Sequence, residues 1–318
     1  MIKRIVLMGE CLVEFWQVER NNYQLNFAGD VFNTAVYLTR SCEVPVNVQF
    51  FTAVGTDRIS DKLLTAAEQE KIDTTLMLRS KTARPGLYMI NSDAVGERSF
   101  VYWRDNSAAK QVMQCYTVQR NYDALKGCDM FYFTGITLAM LSDADRTTLF
   151  TLLEQLKQDG SQIVFDPNYR PTLWPNANIA KAAFVQAYRL ADIALPGLAD
   201  HKVLFDAERT DQVVEQLTEL GVAEIIVKDG KNGINGRVEQ QCFSVMAHPV
   251  KKVVDTTAAG DAFNGGYLAA RLGGIAPQQA VKFAARLAGF VVGHVGAIVG
   301  GEQFKRFGAS HRPSDFAN

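Results

Sequence analysis

The sequence lacks a surplus of charge of either sign. Its 318 residues carry 33 Lys and Arg side chains against 34 Asp and Glu side chains, which gives a net charge of −1. No extended run of Lys or Arg occurs. Proteins that bind nucleic acid usually show a basic surplus or a basic segment. The balance therefore predicts no nucleic-acid partner and favours chemistry on small molecules.

Cysteine and histidine are also sparse. Five cysteines and four histidines are scattered along the chain, and no Cys-x-x-Cys pair is among them. Structural zinc sites and disulfide frameworks depend on close or regular spacings of these residues. We therefore predict free thiols in a reducing compartment and no metal site built from protein side chains.

Long apolar runs are absent as well. The short run at residues 5–8 is followed at once by Glu10 and Glu14, which argues against a signal peptide. The stretch 287–301 is shorter than the roughly 20 residues that span a bilayer, and it contains His294 and several glycines. We predict a buried first strand, no contact with a membrane and a location in the cytoplasm.

Two glycine-rich nucleotide motifs are missing. The chain contains neither Gly-x-x-x-x-Gly-Lys-Ser/Thr nor Gly-x-Gly-x-x-Gly. These are the phosphate-binding loop of P-loop enzymes and the dinucleotide fingerprint of the Rossmann fold. A P-loop enzyme and a dinucleotide-dependent dehydrogenase are therefore both disfavoured.

The chain does contain a regular alternation of strand-like and helix-like segments. Helical segments separate strand-like apolar runs at residues 48–54, 130–133, 163–165, 193–195 and 225–227. Continuous apolar strands separated by helices predict a mostly parallel sheet that is covered by helices on both faces. We therefore expect an α/β protein.

Two segments interrupt this alternation. Residues 11–28 alternate without a helical period, and residues 86–104 contain two strand-like runs around the polar turn 91–98. Alternation of this kind is typical of antiparallel strands. We predict that the two segments form a small sheet that lies as a lid over the mouth of the main sheet.

The most informative stretch is residues 255–263, Asp-Thr-Thr-Ala-Ala-Gly-Asp-Ala-Phe, which opens a helix-like segment. Small residues at a helix start leave several backbone N–H groups unpaired, and the positive end of the helix dipole favours an anion there. Asp261 places a carboxylate in the same turn. A phosphate site beside a fixed base is what phosphoryl transfer to a hydroxyl requires.

Two arginines stand where they could bind an acidic ligand. Alternation along the strand 98–104 places Tyr102 and Arg104 on one face. Arg170 and Asn168 follow a predicted strand, at the edge where open α/β sheets bind their ligands. Arginine offers planar, bidentate geometry to a carboxylate. A half-exposed hairpin and ordinary turn chemistry explain the same residues, so both interpretations stay open at this point.

Two further loops carry candidate ligand-binding residues. Gly29, Asp30 and Asn33 lie at the start of a predicted helix, where Asp30 is a natural N-cap and Asn33 could hydrogen-bond a ligand hydroxyl. Residues 228–233 follow a predicted strand, and their glycines would let the backbone approach a nucleotide. A glycine-rich hairpin turn accounts for the second loop equally well.

Taken in order, these motifs resemble the ribokinase-like (PfkB) family of carbohydrate kinases over nearly the whole chain. The resemblance is carried by Gly9-Glu10, by residues 28–35, by Val54-Gly55-x-Asp57 and, with high specificity, by residues 255–261. It implies the family's three-layer fold as one domain over residues 1–318, with a lid from about residues 11–28 and 86–104.

Within the family the chain is most similar to the 2-keto-3-deoxygluconate kinases, in residues 85–88, 96–104 and 168–174. That resemblance implies transfer of a phosphoryl group from ATP, with Mg²⁺, to the primary hydroxyl at position 6, giving the 6-phosphate and ADP. A neutral sugar does not need two arginines, whereas a sugar acid does. Another sugar kinase, such as a fructokinase, and a catalytically silent sensor remain alternatives.

The resemblance also assigns roles to single residues. Asp261 would be the general base, beside phosphoryl-binding amides of Ala258, Ala259 and Gly260. Sugar hydroxyls would bind to Gly29, Asp30 and Asn33, and the acid end would bind to Tyr88, Tyr102, Arg104 and Arg170. ATP would bind to Asn168, Lys228, Gly230, Gly233, Ala258 and Gly260.

One segment departs from the family pattern. Where the family has an Asn-x-x-Glu motif linked to Mg²⁺ and phosphate, this chain has Gly197 and the shorter carboxylate of Asp200. We therefore expect Mg²⁺ to be held mainly by phosphates and water. A lid with an exposed apolar face also predicts a possible homo-oligomer formed through the lid.

Overall fold

The computed structural model describes residues 2–19, 21–92, 98–119, 122–250 and 252–317. The tip of the predicted lid turn, residues 93–97, lies outside the described residues, and so does part of the motif 96–104. In the ranges that are described, no helix is long and apolar enough to cross a membrane.

Strands and helices are distributed along the whole described chain. The strands are β1 Lys3–Met8, β2 Leu12–Glu19, β3 Asn22–Ala28, β4 Val46–Val54, β5 Met77–Arg79, β6 Leu87–Ser92, β7 Arg98–Trp103, β8 Met130–Thr134, β9 Gln162–Asp166, β10 Ile193–Ala194, β11 Glu224–Lys228, β12 Ile234–Val238 and β13 Gln241–Val245. The helices are α1 Asp30–Ser41, α2 Arg58–Gln69, α3 Val112–Gln119, α4 Gly135–Met140, α5 Asp143–Gln158, α6 Ala177–Leu190, α7 Leu198–Phe205, α8 Thr210–Glu219, α9 Ala259–Leu272, α10 Pro277–Val292 and α11 Gly301–Gly308.

The main sheet has the strand order β13-β12-β11-β10-β9-β8-β1-β4-β5. The pairs from β11 to β5 are parallel, and β12 and β13 add an antiparallel hairpin at one edge. The five predicted strand-like runs coincide with β4, β8, β9, β10 and β11. The mostly parallel sheet predicted from the alternation is therefore confirmed.

Each face of the main sheet packs against its own set of helices. Val6 and Met8 of β1 belong to a core with α3 to α8, whereas Ile5 and Leu7 belong to a core with α1, α2 and α9 to α11. Successive strand residues point to opposite faces, so one apolar strand supplies both cores. The result is the predicted three-layer arrangement, with helices on both faces of the sheet.

The small sheet is formed by the two segments that interrupt the alternation. Its strand order is β3-β2-β6-β7. The outer pairs are antiparallel and the central pair, β2 with β6, is parallel. β2 begins four residues after the end of β1, at the carboxyl end of the main sheet's strands. The small sheet is thereby placed beside the loops that follow β1, β8, β9 and β11.

Helices α1 and α9 approach each other closely at Gly265. A Cβ atom at this position would lie 2.7 Å from the carbonyl oxygen of Thr34 and 2.8 Å from the backbone nitrogen of Leu38. Backbone atoms cannot yield as the end of a flexible side chain can. The absence of a side chain at Gly265 therefore sets the distance between the two helices, whose N-termini both reach the carboxyl edge of the sheet.

We expect Gly265→Ala to lower the free energy of unfolding by about 1–2 kcal/mol, because the overpacking cost exceeds the gain from alanine's higher helix propensity. Urea denaturation would measure the change. Gly308→Ala is the matched control, because a Cβ atom there would meet no atom within 4 Å. Equal stability of the two variants would show that the α1–α9 approach tolerates a methyl group.

Candidate active site

The loops at the carboxyl edge of the main sheet and one face of the small sheet enclose a cavity of about 490 Å³. Its lining includes most of the residues predicted from the sequence as ligand-binding or catalytic: Gly29, Asp30, Asn33, Tyr88, Tyr102, Arg104, Asn168, Arg170, Lys228, Ala258, Ala259, Gly260 and Asp261. Residues separated by more than 200 positions in the chain thus share one cavity.

The start of α9 forms one wall of this cavity. Ala258 precedes the helix in the left-handed region, at φ 60° and ψ 12°, which costs an alanine about 1–2 kcal/mol. Asp255 holds the turn, because its Oδ1 accepts from the Thr257 N–H at 3.0 Å and its Oδ2 from the Gly296 N–H at 2.8 Å. The predicted arrangement of small residues at a helix N-terminus is present. Such a terminus favours an anion.

Asp261 lies in the first turn of α9 and accepts a hydrogen bond from Asn33 Nδ2 at 2.9 Å. Its withdrawal from water, and then the nearby carboxylates of Asp30 and Asp166, raise its pKa to about 8, and Asn33 and Lys228 oppose the rise. A carboxyl group that titrates near neutral pH can take up a proton from a ligand hydroxyl in its ionised form.

Asp30 faces the cavity and does not cap α1. The N-cap position belongs to Gly29, no side-chain cap hydrogen bond is present, and Asp30 is the first helical residue. Its Oδ2 accepts from Thr134 Oγ1 at 2.7 Å and from Asn168 Nδ2 at 2.9 Å. The N-cap prediction for Asp30 was therefore wrong. Burial, its largest perturbation, raises the pKa of this carboxyl.

Gly29 lies against the backbone of the loop that follows β1. A Cβ atom at position 29 would lie 2.2 Å from the carbonyl oxygen of Glu10. The chain segment that carries Asp30 and Asn33 can therefore reach the cavity only with glycine at this point.

The loop after β9 brings Asn168 and Arg170 to the cavity. Asn168 adopts a positive φ of 32°, and Arg170 donates through NH1 to the carbonyl oxygen of Tyr169 at 3.1 Å. Asp200, next to Gly197 at the start of α7, lines the same cavity. Burial and the carboxylate of Asp166 raise the pKa of Asp200 to about 6, against the effect of Arg170 and Lys228.

The small sheet contributes an aromatic wall. The rings of Tyr88 and Tyr102 stack with centroids 5.5 Å apart, and Phe100 lies next to Tyr102 at 6.4 Å. Arg104 forms an ion pair with Glu10, and the Tyr88 hydroxyl donates to Glu14. The predicted side of the strand is confirmed, because Tyr102 and Arg104 both line the cavity.

Lys228 extends from the end of β11 into the cavity. Its Nζ donates to Asn264 Oδ1 at 2.9 Å and lies 3.5 Å from Asp166 Oδ2. Gly230 and Gly233 do not line the cavity and lie in the turn between β11 and β12, at φ 51° and 108°. Their assignment to a nucleotide site stays a prediction.

Several residues of the site had no assigned role in the sequence. Asn264 donates to Asp166 Oδ2 at 2.7 Å, and Thr134 donates to Asp30. Glu10 belongs to a motif that carries the family resemblance. Its contact with Arg104 has no local signature in the sequence, because the two positions are 94 residues apart. The available signal was position, because Glu10, Thr134 and Asp166 stand at or just after the carboxyl ends of parallel strands, where such sheets bind ligands.

Within the described ranges, no group of three or more His, Cys, Asp or Glu side chains is arranged to hold a metal ion. The cavity nevertheless contains Asp166 and Asp200, and Asp166 raises the pKa of Asp200. Carboxylate oxygens are ligands that Mg²⁺ accepts while it keeps several waters.

Comparison with known proteins agrees with this arrangement. The sequence matches the pfkB family of carbohydrate kinases over residues 2–303. It is 36% identical to a 2-dehydro-3-deoxygluconokinase of Haemophilus influenzae, over 99% of this chain and 100% of that protein. It is 35% identical to the protein of the same name in Escherichia coli strain K12, over 94% of this chain and 98% of that one.

Solved structures share the fold. A PfkB protein from Polaromonas sp. JS666 superposes with a TM-score of 0.83 at 23% identity, over 98% of this chain and 100% of that chain. A putative ribokinase II from E. coli, solved in complex with ATP and Mg²⁺, gives 0.82 at 24% identity over the same shares. The family match over nearly the whole chain and this fold lead to one conclusion: the chain belongs to the pfkB family of carbohydrate kinases.

Proposed function

We propose that the protein transfers a phosphoryl group from ATP to the 6-hydroxyl of 2-keto-3-deoxy-D-gluconate, giving the 6-phosphate and ADP. The observation that carries the proposal is the presence of Arg104 and Arg170 in one cavity with Asp261 and the N-terminus of α9. Two guanidinium groups suit a carboxylate-bearing sugar. Relatives at 35–36% identity over nearly their whole length are named 2-dehydro-3-deoxygluconokinase, and "dehydro" and "keto" describe the same carbonyl group.

In the proposed reaction Asp261 is the general base for the primary hydroxyl. The backbone N–H groups of Ala258, Ala259 and Gly260 bind the negative charge of the transferring phosphoryl group, at the positive end of the α9 dipole. The left-handed turn at Ala258, directly before α9, supports this role, although the Ala259 N–H also donates to the carbonyl oxygen of Thr256 at 3.3 Å.

The acceptor lies between two groups of residues in this proposal. Gly29, Asp30 and Asn33 bind sugar hydroxyls, since they adjoin Asp261 through the Asn33 hydrogen bond. Tyr88, Tyr102, Arg104 and Arg170 bind the acid end, with the stacked tyrosines against the carbon chain. The reacting hydroxyl and the carboxylate then sit at opposite ends of one cavity.

ATP occupies the remaining side of the cavity in this proposal, with Asn168 and Lys228 near its phosphates and the turn with Gly230 and Gly233 further along. Two solved structures of the same fold contain ATP. Mg²⁺ would neutralise phosphate charge, with Asp166 and Asp200 as the carboxylates available to its waters. The proposal takes residues 1–318 as one kinase domain, in the cytoplasm as the sequence predicts.

A substrate panel with coupled detection of ADP tests the acceptor. We expect turnover of 2-keto-3-deoxygluconate and little turnover of fructose or other neutral sugars. Arg170→Ala should raise KM for the acid by about 10- to 100-fold, because it removes a charged hydrogen-bond donor, and should leave KM for ATP unchanged.

Arg209→Ala is the matched control, because Arg209 pairs with Asp211 on the surface and does not line the cavity. Preferential turnover of fructose would favour the fructokinase alternative, which distant relatives support at 27% identity over 69% of this chain. The absence of ATP-dependent turnover on every sugar would favour a silent sensor.

Asp261→Asn should lower kcat by at least about 10²-fold and leave KM for the sugar acid nearly unchanged, because it removes only the proton acceptor. Steady-state kinetics at pH 8 would measure both constants. An unchanged kcat would remove Asp261 from the role of general base.

The same variant has a stability signature that serves as its folding control. With the pKa of Asp261 raised from 3.8 to about 8, the folded protein keeps a proton that the unfolded chain has lost. The contribution of Asp261 to the free energy of unfolding of the wild type therefore falls as pH rises from about 4 to about 8. Asparagine carries no titrating proton, so the variant lacks this pH dependence. Between about pH 4 and pH 8, the unfolding temperature of Asp261→Asn should therefore rise relative to that of the wild type.

We further propose that the protein self-associates through the outer face of the small sheet. Val101 and Trp103 are 43% and 53% exposed, and the strand register places them opposite Met89 and Leu87 on that face. Exposed apolar surface of this kind marks a contact surface. Trp103→Glu should shift the protein to a monomer in sedimentation velocity. Val118→Glu, which replaces an 85% exposed valine outside the small sheet, should not.

A further inference from the structure

Glu10 forms the most buried ion pair of the cavity. Its side chain is 2% exposed, that of Arg104 is 13% exposed, and NH2 of Arg104 donates to Glu10 Oε2. Glu10 follows β1 in the main sheet, whereas Arg104 follows β7 in the small sheet. The pair therefore joins the two sheets at the cavity wall.

Stability alone does not account for this pair. Oε1 of Glu10 is buried and has no hydrogen-bond partner among the described residues. A buried ion pair repays its desolvation only when its remaining lone pairs are also satisfied. An apolar pair of similar volume would serve the fold at least as well, so the reason for a carboxylate here lies in what it does to Arg104.

Gly86 makes the contact possible. A Cβ atom at position 86 would lie 2.8 Å from Glu10 Oε1, 3.0 Å from Arg104 Cβ and 2.6 Å from Leu12 Cδ2. A methyl group there would push Glu10 and Arg104 apart. Glu10, Gly86 and Arg104 thus form one unit, in which the missing side chain of the glycine lets the carboxylate reach the guanidinium.

The two arginines of the cavity differ in their surroundings. Arg104 is paired with Glu10, whereas Arg170 has no carboxylate within ion-pair distance among the described residues. A paired guanidinium has less net charge to offer but a fixed direction, because one of its edges is already bound. The guanidinium of Arg170 donates to the backbone carbonyl oxygen of Tyr169, which leaves its charge without a paired carboxylate.

We propose that Glu10 is a positioning residue, which holds the guanidinium of Arg104 in the orientation that receives the carboxylate of the acceptor. This inference rests on the proposed function, since it assumes that Arg104 binds the acid end. In it, Arg170 supplies the charge that attracts the acid and Arg104 supplies the direction. Glu10 does not contact the reacting atoms and acts through Arg104.

The first test is Glu10→Gln in the full chain, with 2-keto-3-deoxygluconate as the acceptor. Glutamine removes the charge of the pair and leaves only a neutral amide oxygen, a weaker acceptor for the guanidinium, so Arg104 is held less firmly. We expect KM for the acid to rise by about 10-fold or more while kcat changes by less than about 3-fold and KM for ATP stays constant, a split typical of lost binding rather than lost chemistry.

A double-mutant cycle shows whether Glu10 acts through Arg104. In the Arg104→Ala background, Glu10→Gln should raise KM for the acid by no more than about 2-fold further, because the group that it positions is already absent. Gly86→Ala should reproduce the KM effect while both charged side chains remain, and it gives a second variant if Glu10→Gln folds poorly.

Glu70→Gln is the matched control. It removes a carboxylate from the pair with Arg40, which is also partly buried but does not line the cavity. It should lower the unfolding temperature without changing KM for the acid. A structural role for Glu10 would give the same result, a loss of stability with KM unchanged.

The outcomes separate this inference from the proposed function. If Arg104→Ala raises KM for the acid and Glu10→Gln does not, or if Glu10→Gln raises it equally in both backgrounds, the positioning role is overturned and the proposed function stands. If Arg104→Ala leaves KM for the acid unchanged, the acid-binding role of Arg104 fails and the positioning role of Glu10 fails with it.

Discussion

The crowding of carboxylates at the carboxyl edge of the sheet is the constraint on which the site depends. Among the described residues that line the cavity are five carboxylates, those of Glu10, Asp30, Asp166, Asp200 and Asp261, and three cations, Arg104, Arg170 and Lys228. Burial, and then repulsion from neighbouring carboxylates, raises the pKa values of Asp30, Asp200 and Asp261, so keeping these groups ionised in the cavity opposes folding. The apolar cores on both faces of the sheet stabilise the fold and offset the unfavourable free energy of the site.

Neutral donors keep these carboxylates in place. Asn33 donates to Asp261, Asn168 to Asp30 and Asn264 to Asp166. An amide N–H donates a hydrogen bond to a carboxylate oxygen without neutralising its charge. The carboxylates therefore stay fixed in position and still interact electrostatically with one another. A lysine or arginine in these positions would depress the pKa of its partner. Asparagines therefore allow Asp261 to remain a base that titrates near neutral pH.

The sequence predicted features that are local and missed those that are long-range. The strands, the presence of a helix opened by residues 255–263 and the side of the strand that carries Tyr102 and Arg104 follow from periods and turns of a few residues. The bond from Asn33 to Asp261 spans 228 positions and has no local signature. Asp30 has the local sequence features of an N-cap. Its carboxylate instead accepts hydrogen bonds from Thr134 and Asn168, which are distant in the chain. A single glutamate after a strand is not part of a repeating sequence pattern. The sequence therefore assigned no role to Glu10.

The period of two along the last strand of the small sheet would connect ligand binding to the proposed association between copies of the chain. Phe100 and Tyr102 face the cavity, and Val101 and Trp103, between and beside them, face outward. Because successive residues occupy opposite faces of one strand, a contact that immobilises Val101 and Trp103 also immobilises Phe100 and Tyr102. A partner on the outer face would therefore hold the strand that precedes Arg104, while Glu10 pairs with the guanidinium of Arg104 from the main sheet. If Arg104 is fixed from both sides, the proposed acid-binding group loses less conformational freedom when a ligand binds, and more of the contact energy remains for binding.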